Sequence, residues 1–170
     1  MKLIGAIFLI SATSFVGFDL SKKFSLRTKQ IRMFIYSLQM IEAEMTYSNH
    51  SLRQIFIQVK QKTEGPVAHF YERLANHLQK PVTQFSTLWD EELSKLKQYS
   101  AFNESEMNIL QQFGKNMGNH TIEQQIKQIK LTTYYLQKQL DEAIEQKNKY
   151  DRTVKSLGFL IGLLIVLILI

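Results

Sequence analysis

The sequence predicts an all-α protein: an antiparallel helical bundle of about six helices, flanked by N- and C-terminal transmembrane helices, with the last bundle helix continuing into the membrane. Three observations predict it. Through the middle of the chain, apolar residues recur at steps of three and four, the period of helices that bury one face. Proline occurs only at 66 and 81, and no Asn-Gly or Asp-Gly pair offers a hairpin turn. Each end carries a run without charge, Leu3 to Phe18 (sixteen residues) and Leu157 to Ile170 (fourteen), apolar on every side where a soluble helix needs only a stripe.

The elements follow in order. A bilayer core of ~30 Å takes about 20 helical residues, so residues 1–20 form the first span. Residues 153–170 form the second, recruiting Thr153 to Ser156 while Lys155 snorkels toward the headgroups. Gly158 and Gly162 have the small-xxx-small spacing that lets membrane helices pack closely, and Gly5, Ala12 and Gly17 supply small residues on the first span. Between the spans, residues 21–152 form the bundle.

Its first helix runs from about Ser25 to Tyr47 on the stripe Ile31, Phe34, Ile35, Leu38, Ile41 and Met45. Ser51 and Gln54 make a capping box for a second helix carrying Leu52, Ile55, Phe56 and Val59. Gly65-Pro66 ends that helix and starts a third, buried through Phe70, Leu74 and Leu78, with proline tolerated in the first turn. After Pro81 a fourth offers Phe85, Leu88, Trp89, Leu93 and Leu96. Asn103 or Ser105 caps a fifth bearing Met107, Leu110 and Phe113, which breaks at Gly114 or Gly118. From about Thr121, Ile122, Ile126, Ile129, Thr133, Leu136, Leu140, Ala143, Lys147, Tyr150, Val154 and Leu157 keep heptad spacing into the terminal run. That seam pairs within the chain or with a second copy.

The net charge of +6 is unevenly placed. Lys22, Lys23, Arg27, Lys29 and Arg32 follow the first apolar run, and Lys147, Lys149, Arg152 and Lys155 precede the second; from Met33 to Gln146 there are 11 basic and 13 acidic residues. Bases beside membrane helices favour a cytoplasmic middle segment with both termini across the membrane. A nucleic-acid surface would spread bases and aromatics through the domain, so no nucleic-acid partner is expected. A cleaved signal is the weaker reading, because only Lys2 precedes the first run and "SATS" is a poor cleavage site. With no cysteine, disulfides and thiolate metal ligands are excluded.

Convergent chemistry is scarce, and the expectation is no enzyme, no metal, no cofactor and no small-molecule substrate. His50, His69, His77 and His120 have no metal-ligand spacing, and His69 and His77 read as surface residues. No phosphate-binding glycine loop or nucleophile elbow occurs; "FGKNMGN" reads as a helix-breaking turn at Gly114 and Gly118. Asp90, Glu91 and Glu92 read as a solvated face beside Trp89. Glu42 and Glu44 lie two apart and do not face each other on a helix, so one is expected to meet a base from a neighbouring helix. The competing readings are a membrane-tethered hydrolase using Glu42, Glu44 or the histidines, and an exported binding module.

"KLIGAIFLI", "LQMIEAEMTY" with Glu42, Glu44 and Tyr47, Trp89 in "LWDEEL", and "FGKNMGNHTIEQQIKQIKL" with Gly114, Gly118 and Gln125, leading to "SLGFLIGLLIVLILI", together resemble the bacterial stage III sporulation protein AB family along nearly the whole chain. Thr121 stands where that family's pattern expects an acid, and His50-Ser51 where it expects Thr-Pro. The resemblance implies a helical cytoplasmic domain like the inner-membrane platform proteins of type II secretion and type IV pilus systems. It also implies a place on the mother-cell side of the outer forespore membrane, in a channel between mother cell and forespore. Its implied partners are the other proteins of that channel, including its ATPase, beside the lipid bilayer that the two apolar runs call for and the homo-oligomer that the heptad seam leaves open. Glu42, Glu44, Tyr47, Trp89, Gly114, Gly118 and Gln125 are then candidates for partner binding or for specifying the fold.

Overall fold

The computed structural model describes residues 2–79, 84–117 and 121–169, with side chains described from Lys22 onward except residue 151 and those after Thr153. Every regular element is helical: α1 Lys2–Tyr47, α2 Leu52–Lys62, α3 Gly65–His77, α4 Phe85–Tyr99, α5 Glu104–Asn116 and α6 Ile122–Leu169. Helix α1 does not begin near Ser25 as the stripe predicted. It is continuous from Lys2 over 46 residues, about 69 Å. The boundaries at 20/21 and 152/153 therefore fall inside α1 and α6, without a break. Among the described residues, no helix is long and apolar enough to cross a membrane. The two charge-free runs, with Gly158 and Gly162, lie outside the described side chains, and Gly118 lies outside the described residues.

Helices α1 and α6 pack antiparallel, with side-chain contacts running from Phe24–Tyr150 to Glu42–Lys130, and α2 to α5 close the bundle as successive neighbours, α2 on α1 and α5 on α6. The α1 stripe turns inward as its spacing requires, with Ile31, Phe34, Leu38 and Ile41 fully buried. Ser37 interrupts it without cost, because its hydroxyl donates to the Phe34 carbonyl at 2.6 Å and is 2.7 Å from the Tyr71 hydroxyl. Burial pushes the Tyr71 phenol well above its ordinary range despite that hydrogen bond, so it stays a neutral hydrogen-bonding group at any physiological pH.

Ser51 caps α2 in the predicted box: its Oγ accepts from Gln54 N at 3.4 Å, and Gln54 Oε1 accepts from Ser51 N at 2.9 Å. Ser51→Ala is expected to cost about 1 kcal/mol, read as a lower urea midpoint with an unchanged slope. Gly65 opens α3 at φ +59, a left-handed conformation that side chains resist, and Pro66 follows in the first turn. Of the two cap candidates for α5, Asn103 is the one used; its side chain accepts from Ser105 N and Glu106 N, and Glu106 Oε2 accepts from Asn103 N at 2.6 Å.

Helix α6 spends its heptad seam inside the chain. Ile129, Leu136, Leu140 and Ala143 are buried in the common core, whereas Ile122, placed on the same seam by spacing, is 61% exposed. The reason is length. In the antiparallel register Ile122 lies level with residues past Tyr47, where α1 has ended and offers no partner.

Candidate partner-binding surface

The α1–α6 register sorts the candidate residues. Phe24 stacks on Tyr150 with ring centroids 5.3 Å apart, Arg27 Nη1 donates to Gln146 Oε1 at 2.7 Å, and Lys130 Nζ lies 3.5 Å from Glu42 Oε1. The two helices of this pair therefore bring the end of α1, with Glu42, Glu44 and Tyr47, level with the start of α6, with Gln125. This distal end is opposite to the ends that carry the apolar runs.

Each distal residue is held differently. Glu42 meets Lys130 across the helix pair, the base from a neighbouring helix that its position predicted. Glu44 Oε2 accepts from Ser48 Oγ at 2.8 Å and lies 2.8 Å from His50 Nδ1. The His50 and Ser48 hydrogen bonds hold its carboxyl below the ordinary value. Glu44 thus knits the end of α1 to the loop leading to Ser51. Tyr47 is 88% exposed, and Ile122 at the same end of the pair is a second uncovered apolar side chain. Thr121 Oγ1 accepts from Gln124 N, and Gln124 Oε1 accepts from Thr121 N, both at 3.4 Å, so this threonine does the capping work that an acid would do. An open cleft of about 530 Å³ lies along the first turns of α6, lined by Thr121, Glu123, Gln124, Ile126, Lys127 and Lys130.

Trp89 and Gly114 belong to the core. Gly114 does not break a helix: it lies inside α5, buried, and a Cβ there would stand 2.0 Å from Trp89 Cδ1. The indole fills that space, donating from Nε1 to the Leu110 carbonyl at 2.9 Å and packing edge-on to Phe70 at 4.9 Å. These two residues specify how α4 meets α5 and present nothing to a partner.

Two buried acids were not legible in advance. Glu92, read as part of a solvated face, has a fully buried side chain gripped by Arg73 and by Lys95 at 2.6 Å, with His77 Nε2 at 3.4 Å. Of that acidic trio only Glu91 is exposed, and Asp90 is half-buried. The turn of α4 that carries Glu92 faces α3, and Arg73 from that helix with Lys95 from α4 itself makes its burial tolerable. Burial pushes the Glu92 carboxyl up, but hydrogen bonds from Lys95 and Arg73, with their charges, outweigh it and hold the carboxyl below 4.5. A depressed carboxylate stabilises fully above its unfolded value and loses that contribution as pH falls. Stability is therefore expected to drop below about pH 4.5, with a smaller drop for Glu92→Gln; urea midpoints measured from pH 7 to pH 3 check it.

The second, Glu106, pairs with Arg27 at 2.6 Å, both buried. Glu106 stands three residues after Asn103, the spacing of a capping box, a local signal that says nothing of a partner 79 positions away.

Glu44 and His50 touch, and among the described residues neither lines the α6 cleft or the cleft between α3 and α4. His69 and His77 are exposed; His69 lines a cleft of about 390 Å³ between α3 and α4 with Arg73 and Tyr99, while Glu72 pairs with Lys60 at 2.9 Å. No three His, Asp or Glu side chains among the described residues gather to hold a metal ion.

Residues 2–170 match the family model described as stage III sporulation protein AB. The chain is 34% identical over 169 residues to stage III sporulation protein AB of Bacillus subtilis (strain 168), with 99% of each chain covered. A solved structure of stage III sporulation protein AB superposes with a TM-score of 0.68 at 28% identity, covering 73% of this chain and 98% of that one. Each of these relatives is named for sporulation.

Proposed function

The chain belongs to the stage III sporulation protein AB family, and from that premise we propose that it is a two-pass membrane scaffold of a secretion-like channel between mother cell and forespore. In this reading the bundle lies in the mother-cell cytoplasm and its distal end docks the channel's ATPase. The observation that carries it is the antiparallel pairing of the two longest helices. Their register, followed toward Lys2 and Leu169, opposes the two charge-free runs and would insert them side by side. The same pair holds Tyr47, Ile122 and the α6 cleft at the other end.

Mechanically, α6 is a continuous rod of 48 residues, about 72 Å. A helix bundle with a filled core transmits a displacement instead of absorbing it, so force applied at the distal end reaches the bilayer. The excess of bases next to the apolar runs supports a cytoplasmic bundle.

A photo-cross-linking side chain at Tyr47 or Ile122 of the full-length protein in sporulating cells is expected to trap the ATPase. The same group at Tyr99, exposed on α4, serves as the control. Adducts at Tyr99 with none at the distal positions would sink the distal docking site. Digestion of the bundle by protease added outside intact cells would sink the topology.

A further inference from the structure

Four exposed cations ring one level of the α1–α6 pair. Lys22 and Lys23 precede Phe24 by two and one positions; Lys149 precedes Tyr150 by one, and Arg152 follows it by two. Because Phe24 and Tyr150 are in ring contact at 5.3 Å, all four lie within about 3 Å of helix rise from a single contact. Elsewhere on the bundle Lys29, Lys60, Lys95, Lys97 and Lys130 each reach a carboxylate, and the exposed Arg32, Lys62, Lys115, Lys127 and Lys138, which pair with no described carboxylate, are spread over four helices instead of gathering at one level. Among the described residues no carboxylate lies within ion-pair distance of Lys22, Lys23, Lys149 or Arg152. The neighbouring Arg27 is different: it is buried and committed to Glu106.

From this juxtaposition we infer that the collar of Lys22, Lys23, Lys149 and Arg152 binds the phosphate headgroups of anionic lipids, giving the protein a preference for anionic over zwitterionic membrane. The inference rests on the anchored reading above and adds lipid selectivity to it. Cations that pair with no described carboxylate can take a phosphate. The aromatic contact between them is of the kind that settles at a headgroup layer. Both helices lead from this level directly into the charge-free runs. A nucleic-acid backbone would need a longer basic track than one level of two helices supplies.

The full-length protein is reconstituted into vesicles of phosphatidylcholine with an equal part of phosphatidylglycerol, and lipid retained after mild detergent extraction is counted by native mass spectrometry. Each surface cation contributes roughly fivefold near an anionic surface, so phosphatidylglycerol is expected to be retained at least tenfold over phosphatidylcholine, a bias that shrinks at high salt. The variant combining Lys22→Gln, Lys23→Gln, Lys149→Gln and Arg152→Gln is expected to lose that bias while still resisting alkaline carbonate extraction. A variant with the three lysines changed to arginine is expected to keep it. Equal bias in wild type and the glutamine variant, with both still inserted, overturns the collar and leaves the anchor standing. Extraction of the wild type by carbonate overturns the anchor and the collar together.

Discussion

Gly114→Ala is expected to destabilise the bundle by about 3 kcal/mol, lowering its thermal midpoint by roughly 10 °C. The added methyl would lie 2.0 Å from Trp89 Cδ1 and 2.5 Å from Cγ, well inside contact distance. Relief would require the indole to retreat, and it has nowhere to go. It is fully buried, with Phe70 at 4.9 Å, Phe113 at 5.2 Å and Phe85 at 5.9 Å around it, and its N–H is held by the Leu110 carbonyl of the same helix that carries Gly114. The clash therefore moves α5 away from α4. Trp89→Phe is destabilising by itself, since it forfeits that hydrogen bond and leaves a void. In the double variant the smaller ring makes room for the methyl, so the combined loss is expected to fall below the sum of the single losses. Additive losses would show that the indole is not what fills the space over Gly114. Circular dichroism melts of the full-length protein in detergent measure all three.

Gly114 also marks where reading along the chain stopped being informative. The helices themselves were legible, because each buried stripe repeats at the period of its own element: Ile31 to Ile41 on α1, Phe70 and Leu74 on α3, Ile129 to Ala143 on α6. Caps were legible for the same reason, since Ser51 and Gln54 meet within one turn. What a residue packs against across the bundle has no such local signature. A glycine following Phe113 reads as a stop signal until Trp89, on another helix, is seen to occupy the space of its missing side chain. Glu92 reads as solvated, flanked by two other acids, until Arg73 arrives from α3.

The candidate surface divided along the same line. Glu42, Glu44, Tyr47 and Gln125 sit at one end because α1 and α6 run antiparallel, a relation that heptad spacing leaves open between a partner in the same chain and one in another. Once α1 takes the seam of α6, Ile122 is left uncovered beyond the end of α1, and Tyr47, the last residue of α1, stays exposed at the same end of the pair.

Arg27→Met is expected to have the larger effect on stability, about 3–5 kcal/mol, because it strands a buried carboxylate. Arg27 donates from Nε at 3.2 Å and Nη2 at 2.6 Å to Glu106 Oε1, and from Nη1 to Gln146. The other oxygen of Glu106 is spoken for by Asn103 N. With the guanidinium gone, Oε1 keeps its burial and loses both of its donors. Pairing Arg27→Met with Glu106→Gln removes the stranded charge while leaving an acceptor for Asn103 N, so the double variant is expected to be more stable than Arg27→Met alone. Urea unfolding of the set reads the order, and a double variant no better than the single would show that the charge was not the source of the loss. The position of this pair gives it a consequence beyond stability. It is the point where α1, α5 and α6 are fastened together, one turn from the Phe24–Tyr150 contact and the basic collar. Loosening it should raise amide exchange in the first turn of α5 and around residues 24–30 and 143–150 while α2 and α3 stay protected. Uniform loss of protection would mean that the pair serves the whole core; a local loss would identify it as the joint through which the bundle grips the two helices leading to the charge-free runs.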